Sequence, residues 1–400
     1  MEMVKSITQS KSLYRYILVA GIVLVAMNLR PAITSIGPLV GMIQKDLGLV
    51  HWSVGFLTSL PLIAFAIVSP MVPKMAKILS NERSLILGLL SLVVGIIIRF
   101  VPITFFLFAG TLFVGIGIAI CNVLLPVIVK EKFPNRLGLI TSVYSTALSL
   151  MAAIGSGISV PLANGLNLGW KNSLIIWGIP VVAALLIWIF LDKRNNGTEE
   201  SIKPSRSTGN QVWRSPLAWQ IALFFGFQSF MFYVTVAWLP EIMVSRGVSL
   251  EMAGWLLSLT QLVGLPFSFI VPMIAGRFQS QQLLGFALSL CSVIGFAGLL
   301  WNISYEMMVL SSMFLGIGLG GCFPLALTFI GLRARDGRQA SELSGMSQSI
   351  GYILAAIGPL FIGYLYDLTH QWTVPLISMI IISLLMIIFS MFAGRNKYIY

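Results

Sequence analysis

The chain has 400 residues, of which 57% are hydrophobic and only 10% charged, with a net charge of +12. A soluble domain carries about 25% charged residues because its surface faces water, so this composition excludes a water-soluble globule and makes lipid the surrounding solvent. The positive charge falls in short bursts between apolar runs and does not gather on one face with stacking aromatics, which argues against a nucleic-acid partner.

A helix needs about 20 apolar residues to cross the hydrocarbon core, and that ruler predicts twelve spans. The first six run over 15–43, 52–73, 84–102, 104–129, 138–162 and 171–191. The second six run over 216–244, 251–275, 282–301, 305–331, 341–366 and 372–393. Between the sets, 192–214 is rich in Asn, Ser, Gly, Lys and Glu and reads as a linker. The predicted fold is an all-α integral membrane protein with two pseudo-symmetric six-helix bundles, 1–191 and 215–400, joined by the linker 192–214.

In span 1, Arg30 lies near the middle of an apolar helix, where insertion costs about 2.5 to 3.5 kcal/mol. All thirteen acids fall in loops, termini or helix ends, so no midplane acid pairs it. Its compensation comes from water in a cavity, neutral polar groups, carbonyls freed near Pro31, or a bound anion. Two readings stay open: a structural tie, or a contact to an anionic solute, for which a guanidinium offers forked donors. Thr34 lies one turn away on the same face.

Further along, span 4 carries Asn122 and span 5 Tyr144. Span 7 carries Gln228 and Tyr233, span 8 Gln261 and span 11 Gln348. These are candidate solute contacts, with interhelical hydrogen bonding and packing as their alternatives. Trp52, Trp170, Trp238 and Trp372 sit near span ends, mostly as expected interfacial anchors. Pro31, Pro38, Pro61, Pro126, Pro266 and Pro324 are expected to kink their helices.

The two sets of spans resemble each other. Phe113-Val-Gly-Ile-Gly-Ile-Ala-Ile-Cys121 in span 4 matches Phe314-Leu-Gly-Ile-Gly-Leu-Gly-Gly-Cys322 in span 10. Met151-Ala-Ala-Ile-Gly155 in span 5 matches Leu354-Ala-Ala-Ile-Gly358 in span 11. Parallel six-helix repeats are a transporter architecture with its site near the midplane. The repeated glycines Gly115, Gly117, Gly316 and Gly318 read as close-packing positions.

Of the 25 Lys and Arg residues, 20 fall on one side of the predicted spans. Four (Lys45, Arg99, Lys171, Arg246) fall on the other, with Arg30 apart. Positive charge stays inside, so both termini and the linker are expected to be cytoplasmic. Cys121, Cys291 and Cys322 lie in apolar runs and give neither a disulfide framework nor a metal spacing. No cleavable signal is evident. There is no phosphate-cradling Gly-Lys-Ser/Thr loop and no catalytic acid pair or triad at membrane depth, so no enzyme and no cofactor are expected.

The element Asn28-Leu-Arg-Pro-Ala-Ile-Thr-Ser35 carries a resemblance to the major facilitator superfamily, in its cyanate and 2-nitroimidazole transporter branch. Leu57-Thr-Ser-Leu-Pro61, Asn122-Val-Leu-Leu-Pro126, Ala237-Trp-Leu-Pro240, Gln261-Leu-Val-Gly264, Gly351-Tyr-Ile-Leu-Ala-Ala-Ile-Gly-Pro359 and Asp367-Leu-Thr369 extend it along nearly the whole chain. The superfamily's loop between spans 2 and 3 usually reads Gly-x-x-x-Asp-Arg-x-Gly-Arg-Arg. Here Pro73 stands at the Asp and Ala76 at the second Gly, while Lys74 and Lys77 keep basic positions. With Arg277 after span 8, these lysines are the candidate gating-loop residues. The resemblance implies a secondary transporter of a small anionic or polar solute in the cell membrane, working by alternating access. It is expected to be a monomer, with protons as a candidate coupling ion. The alternative is a multidrug-type exporter with an apolar central cavity.

Overall fold

The computed structural model describes residues 2–49, 51–195, 209–301 and 304–399. Among the described residues the chain is helical, with turns and no strand. Twelve helices among the described residues are long and apolar enough to cross a membrane. Spans 1 to 6 run over Tyr14–Leu39, Ser59–Leu79, Asn81–Ile98, Thr104–Lys132, Pro134–Asn164 and Gly169–Lys193. Spans 7 to 12 run over Pro216–Ser245, Met252–Ala275, Gln282–Trp301, Tyr305–Arg333, Gly337–Thr369 and Thr373–Ala393. Most of the predicted linker, 196–208, lies outside the described residues. Its last residues form the short helix Gly209–Arg214.

The prolines act unequally. Span 1 is interrupted twice: a helix ends at Leu29, Pro31–Thr34 forms one turn, and Ile36–Leu47 resumes after Ser35. Proline cannot donate to the helical ladder and its ring crowds the preceding turn. Span 2 narrows to a 3-10 turn over Ser69–Met71, around Pro70, before Val72–Leu79. Pro61, Pro126, Pro266 and Pro324, by contrast, sit inside continuous helices. Lys74 and Lys77 therefore stand on a helix, and the connection to span 3 is Ser80 alone, at φ 79°.

The chain forms two compact units. The first takes in Met1–Ala64, Lys74–Leu125 and Ala147–Ser207. In it, span 6 packs on spans 1 and 3, and an apolar cluster gathers Ile36, Leu39, Leu57, Leu107, Trp170 and Leu174. Trp170 is thus a core residue, not an interfacial anchor, and its indole donates to Asp46 Oδ2 at 2.9 Å. The second unit takes in Phe65–Pro73, Pro126–Thr146 and Thr208–Tyr400. Its core spans Phe230, Leu239, Phe296, Leu315 and Met379, and includes Trp372, another core residue where an interfacial anchor was expected. Small residues let its backbones touch: Ser349 Oγ donates to the Ala66 carbonyl at 2.7 Å, and Ser145 Oγ to that of Ser268 at 2.9 Å.

The repeated glycines do the same job twice. A methyl placed on Gly115 would meet Ala64 and Pro61 of the segment around span 2, and one on Gly117 would meet the Gly88 and Leu92 backbone of span 3. In the second unit, a methyl on Gly316 would meet Thr260 of span 8, and one on Gly318 would meet Leu288 and Ser292 of span 9. In each set the fourth helix wedges between the second and third at glycine contacts, the close approach small residues permit in membranes.

Candidate solute-binding site

The site is built on the interruption of span 1. Arg30 is the half-buried residue at the break, with φ −102° and ψ −46°. Its carbonyl accepts from the amides of Ile33 and Thr34 at 3.0 and 2.9 Å. Three neighbouring segments grip the residues around it. Asn28, buried, donates through Nδ2 to the Leu24 carbonyl at 2.6 Å and across to the Pro180 carbonyl of span 6 at 3.0 Å. Gly155 of span 5 presses on the turn, since a methyl there would stand 2.8 Å from both Pro31 Cα and Thr34 Oγ1. From the end of span 3, Arg99 donates through Nη1 to the Ala32 carbonyl at 2.7 Å.

The polar residues singled out in the sequence are distributed as follows. Thr34 is beside Arg30, but its hydroxyl is committed to the Arg30 and Ala152 carbonyls at 3.2 and 3.1 Å. That local bond to the residue four back is the usual habit of a helical threonine. Asn122 is half-buried in the first unit. Tyr144, Gln228, Tyr233, Gln261 and Gln348 belong to the second unit, as does Arg277. Tyr144 and Gln228 are buried, and Ser229 Oγ donates to Gln228 Oε1 at 3.3 Å. Gln348 is buried and donates to Ser344 Oγ at 3.0 Å. Tyr233 is half-buried, its ring edge-on to Phe232, and Gln261 is exposed. Lys74, Lys77 and Arg277 are exposed.

Three charged residues sit differently from their sequence reading. The first, Arg333, counted among the charges on the side of the termini, is 3% exposed and donates to the Ala393 and Gly394 carbonyls at 3.1 and 3.0 Å. Arg99, counted with the charges on the side opposite the termini although it lies inside the predicted span 84–102, is only 2% exposed. Charge counting assigns a basic residue near the end of a span to one face of the membrane and takes it as solvated there. The signal that could have found Arg99 is its place inside the predicted span, the same signal that singled out Arg30. Glu342, placed at a helix end, is enclosed at 7% exposure in the second turn of span 11, paired with Arg338 at 3.6 Å. Among the described residues no three His, Cys, Asp or Glu side chains converge as a metal site.

Twelve apolar helices, with polar groups gathered at an interrupted span, are the architecture of a polytopic membrane transporter. The chain belongs to the Major Facilitator Superfamily, which it matches over residues 22–356. It is 44% identical over 391 residues to the uncharacterized transporter YycB of Bacillus subtilis (strain 168), covering 98% of this chain and 96% of that protein. It is 39% identical over 385 residues to the 2-nitroimidazole transporter of Escherichia coli (strain K12), covering 96% of each. The cyanate transport protein CynX of the same organism is 29% identical over 352 residues, covering 88% of this chain and 90% of that one. Among solved structures, the proton:xylose symporter XylE superposes with TM-score 0.77 at 13% identity, covering 97% and 98% of the two chains. That likeness establishes the fold. The protein is a transporter and not an enzyme.

Proposed function

We propose that this transporter moves a small anionic or polar solute by alternating access of two six-helix halves, 1–191 and 215–400, with Arg30 contacting the solute. The observation that carries the reading is the break of span 1 at a half-buried arginine. Interrupted helices supply solute sites in transporters, because the backbone there is irregular only where something lines or fills it. A guanidinium at such a place selects for planar oxyanions or strongly polarised groups. The relatives named for 2-nitroimidazole and cyanate agree with a solute of that kind. We place the protein in the cell membrane with both termini cytoplasmic, on the asymmetry of its basic residues, and as a monomer, since one chain carries both six-helix repeats. Protons are the coupling ion to test first.

The test is uptake into proteoliposomes of labelled cyanate and 2-nitroimidazole, beside a bulky lipophilic cation. Uptake above protein-free vesicles for a small solute, competed by other small anions, is expected. Transport of the lipophilic cation without competition by small anions would instead establish the apolar-cavity exporter.

A further inference from the structure

We propose that Arg99 is a positioning residue: its buried guanidinium holds the Ala32 carbonyl and so fixes where the break in span 1 presents Arg30. The proposal rests on the reading of Arg30 as the solute contact. Its geometry is independent of that reading.

Arg99 has a seat built for it. The backbones of spans 3 and 4 touch at Gly95 and Gly110, where a methyl on Gly95 would stand 2.6 Å from the Gly110 carbonyl oxygen. The arginine stem lies over the same glycine, since a methyl on Gly110 would come within 2.8 Å of Arg99 Cγ. Thr111 Oγ1 donates to the Leu107 carbonyl at 2.7 Å, which leaves its oxygen to accept from Arg99 Nε at 3.1 Å. With its Nε oriented in this way, Arg99 delivers Nη1 to Ala32, two residues beyond Arg30. Nη2 is buried without a hydrogen-bond partner.

The energetics argue against a merely space-filling role. Arginine stays protonated in proteins, and the groups holding Arg99 are a carbonyl and a hydroxyl, both neutral. An apolar side chain of similar volume would fill the seat without the desolvation cost of a charge. What it could not do is fix the turn Pro31–Thr34 with a charged hydrogen bond, the stronger kind. The other two grips, from Asn28 and Gly155, act on either side of Arg30. Arg99 completes the set, so the residue at the break has a defined position in place of a hinge.

The experiment reads the position of residue 30 without a solute. Cys121, Cys291 and Cys322 are replaced by Ser, Arg30→Cys is introduced, and its rate of reaction with a charged methanethiosulfonate is measured in purified protein. A reference cysteine at the exposed Gln279 reports general loosening. Arg99→Met is expected to change the rate at position 30 by about tenfold or more, the loss of one charge-assisted hydrogen bond, and to leave the Gln279→Cys rate unchanged. Arg99→Lys restores part of the change, and Thr111→Val shifts the rate in the same direction by less. An unchanged rate in Arg99→Met overturns the proposal. So does a change that appears equally at the reference site, or failure of both Arg99→Met and Thr111→Val to fold, which would make Arg99 a structural tie alone. Binding of cyanate and 2-nitroimidazole to Arg30→Ala is measured in parallel. Wild-type affinity there removes the solute-contact reading while leaving the labelling result to decide where Arg99 holds the chain.

Discussion

The wedge of span 4 into span 3 makes a quantitative prediction at Gly117. A methyl there would meet the Gly88 carbonyl oxygen at 2.5 Å, Leu92 N at 2.9 Å and Leu92 Cα at 3.2 Å. All three are backbone atoms, so no rotamer change relieves them and the helices must separate by several tenths of an ångström. Overpacking of that kind costs about 1 to 3 kcal/mol, against a gain of about 1 kcal/mol from replacing a helical glycine by alanine. The balance for Gly117→Ala is a loss of up to about 2 kcal/mol. Gly157, in the helix Leu137–Val160, has nothing within 4 Å of the added methyl, so Gly157→Ala keeps only the gain. Thermal unfolding of the two variants in one detergent is the assay. Gly117→Ala should melt below the parent and Gly157→Ala at or above it. Equal melting temperatures would refute the claim that the repeated glycines are contact points.

Three further outcomes follow from the same structure. Asn28→Leu strips the Leu24 and Pro180 carbonyls of a donor. It should destabilise the protein by about 1 to 3 kcal/mol, measured as a lower melting temperature; no loss would show that the tie to span 6 is idle. Cysteines introduced near His51, Asn167 or His370 should react with an impermeant reagent outside intact cells, and one at Ser205 should not. External labelling at Ser205 would reverse the proposed orientation. Glu342 is enclosed and ion-paired to Arg338, so Glu342→Gln should keep any uptake driven by an imposed pH gradient. Loss of that uptake at normal protein levels would make Glu342 the proton carrier.

The twelve spans were legible in the sequence because each is a run of about 20 apolar residues bounded by charge. The glycine repeat was legible because packing at a helix contact tolerates so few residue types. The break at Arg30 was announced by Pro31, yet Pro61 and Pro126 lie in continuous helices, so proline alone does not decide. Thr34 looked like a solute contact because spacing places it beside Arg30, but in the fold its hydroxyl is turned to backbone carbonyls. Arg99 lies inside the predicted span 84–102 but near enough to its end to be counted with the charges of one face, while its seat is made by glycines fifteen residues apart along the chain. Trp170 and Trp372 read as interfacial for the same reason: closeness to a span end says nothing about whether a neighbouring helix covers the ring.

The central claim is that Arg30 binds the solute, and the affinity of Arg30→Ala tests it most directly when read beside yield and melting temperature. Loss of a charged hydrogen bond is worth about 1.5 to 3 kcal/mol, so binding of the transported anion should weaken by about 10- to 150-fold or vanish. The protein should still reach the membrane and melt normally, since removing a central guanidinium relieves an insertion cost. Arg30→Lys should recover part of the affinity, keeping the charge without the fork. Wild-type affinity in a well-folded Arg30→Ala would contradict the account, and a variant that fails to fold would make Arg30 a structural tie.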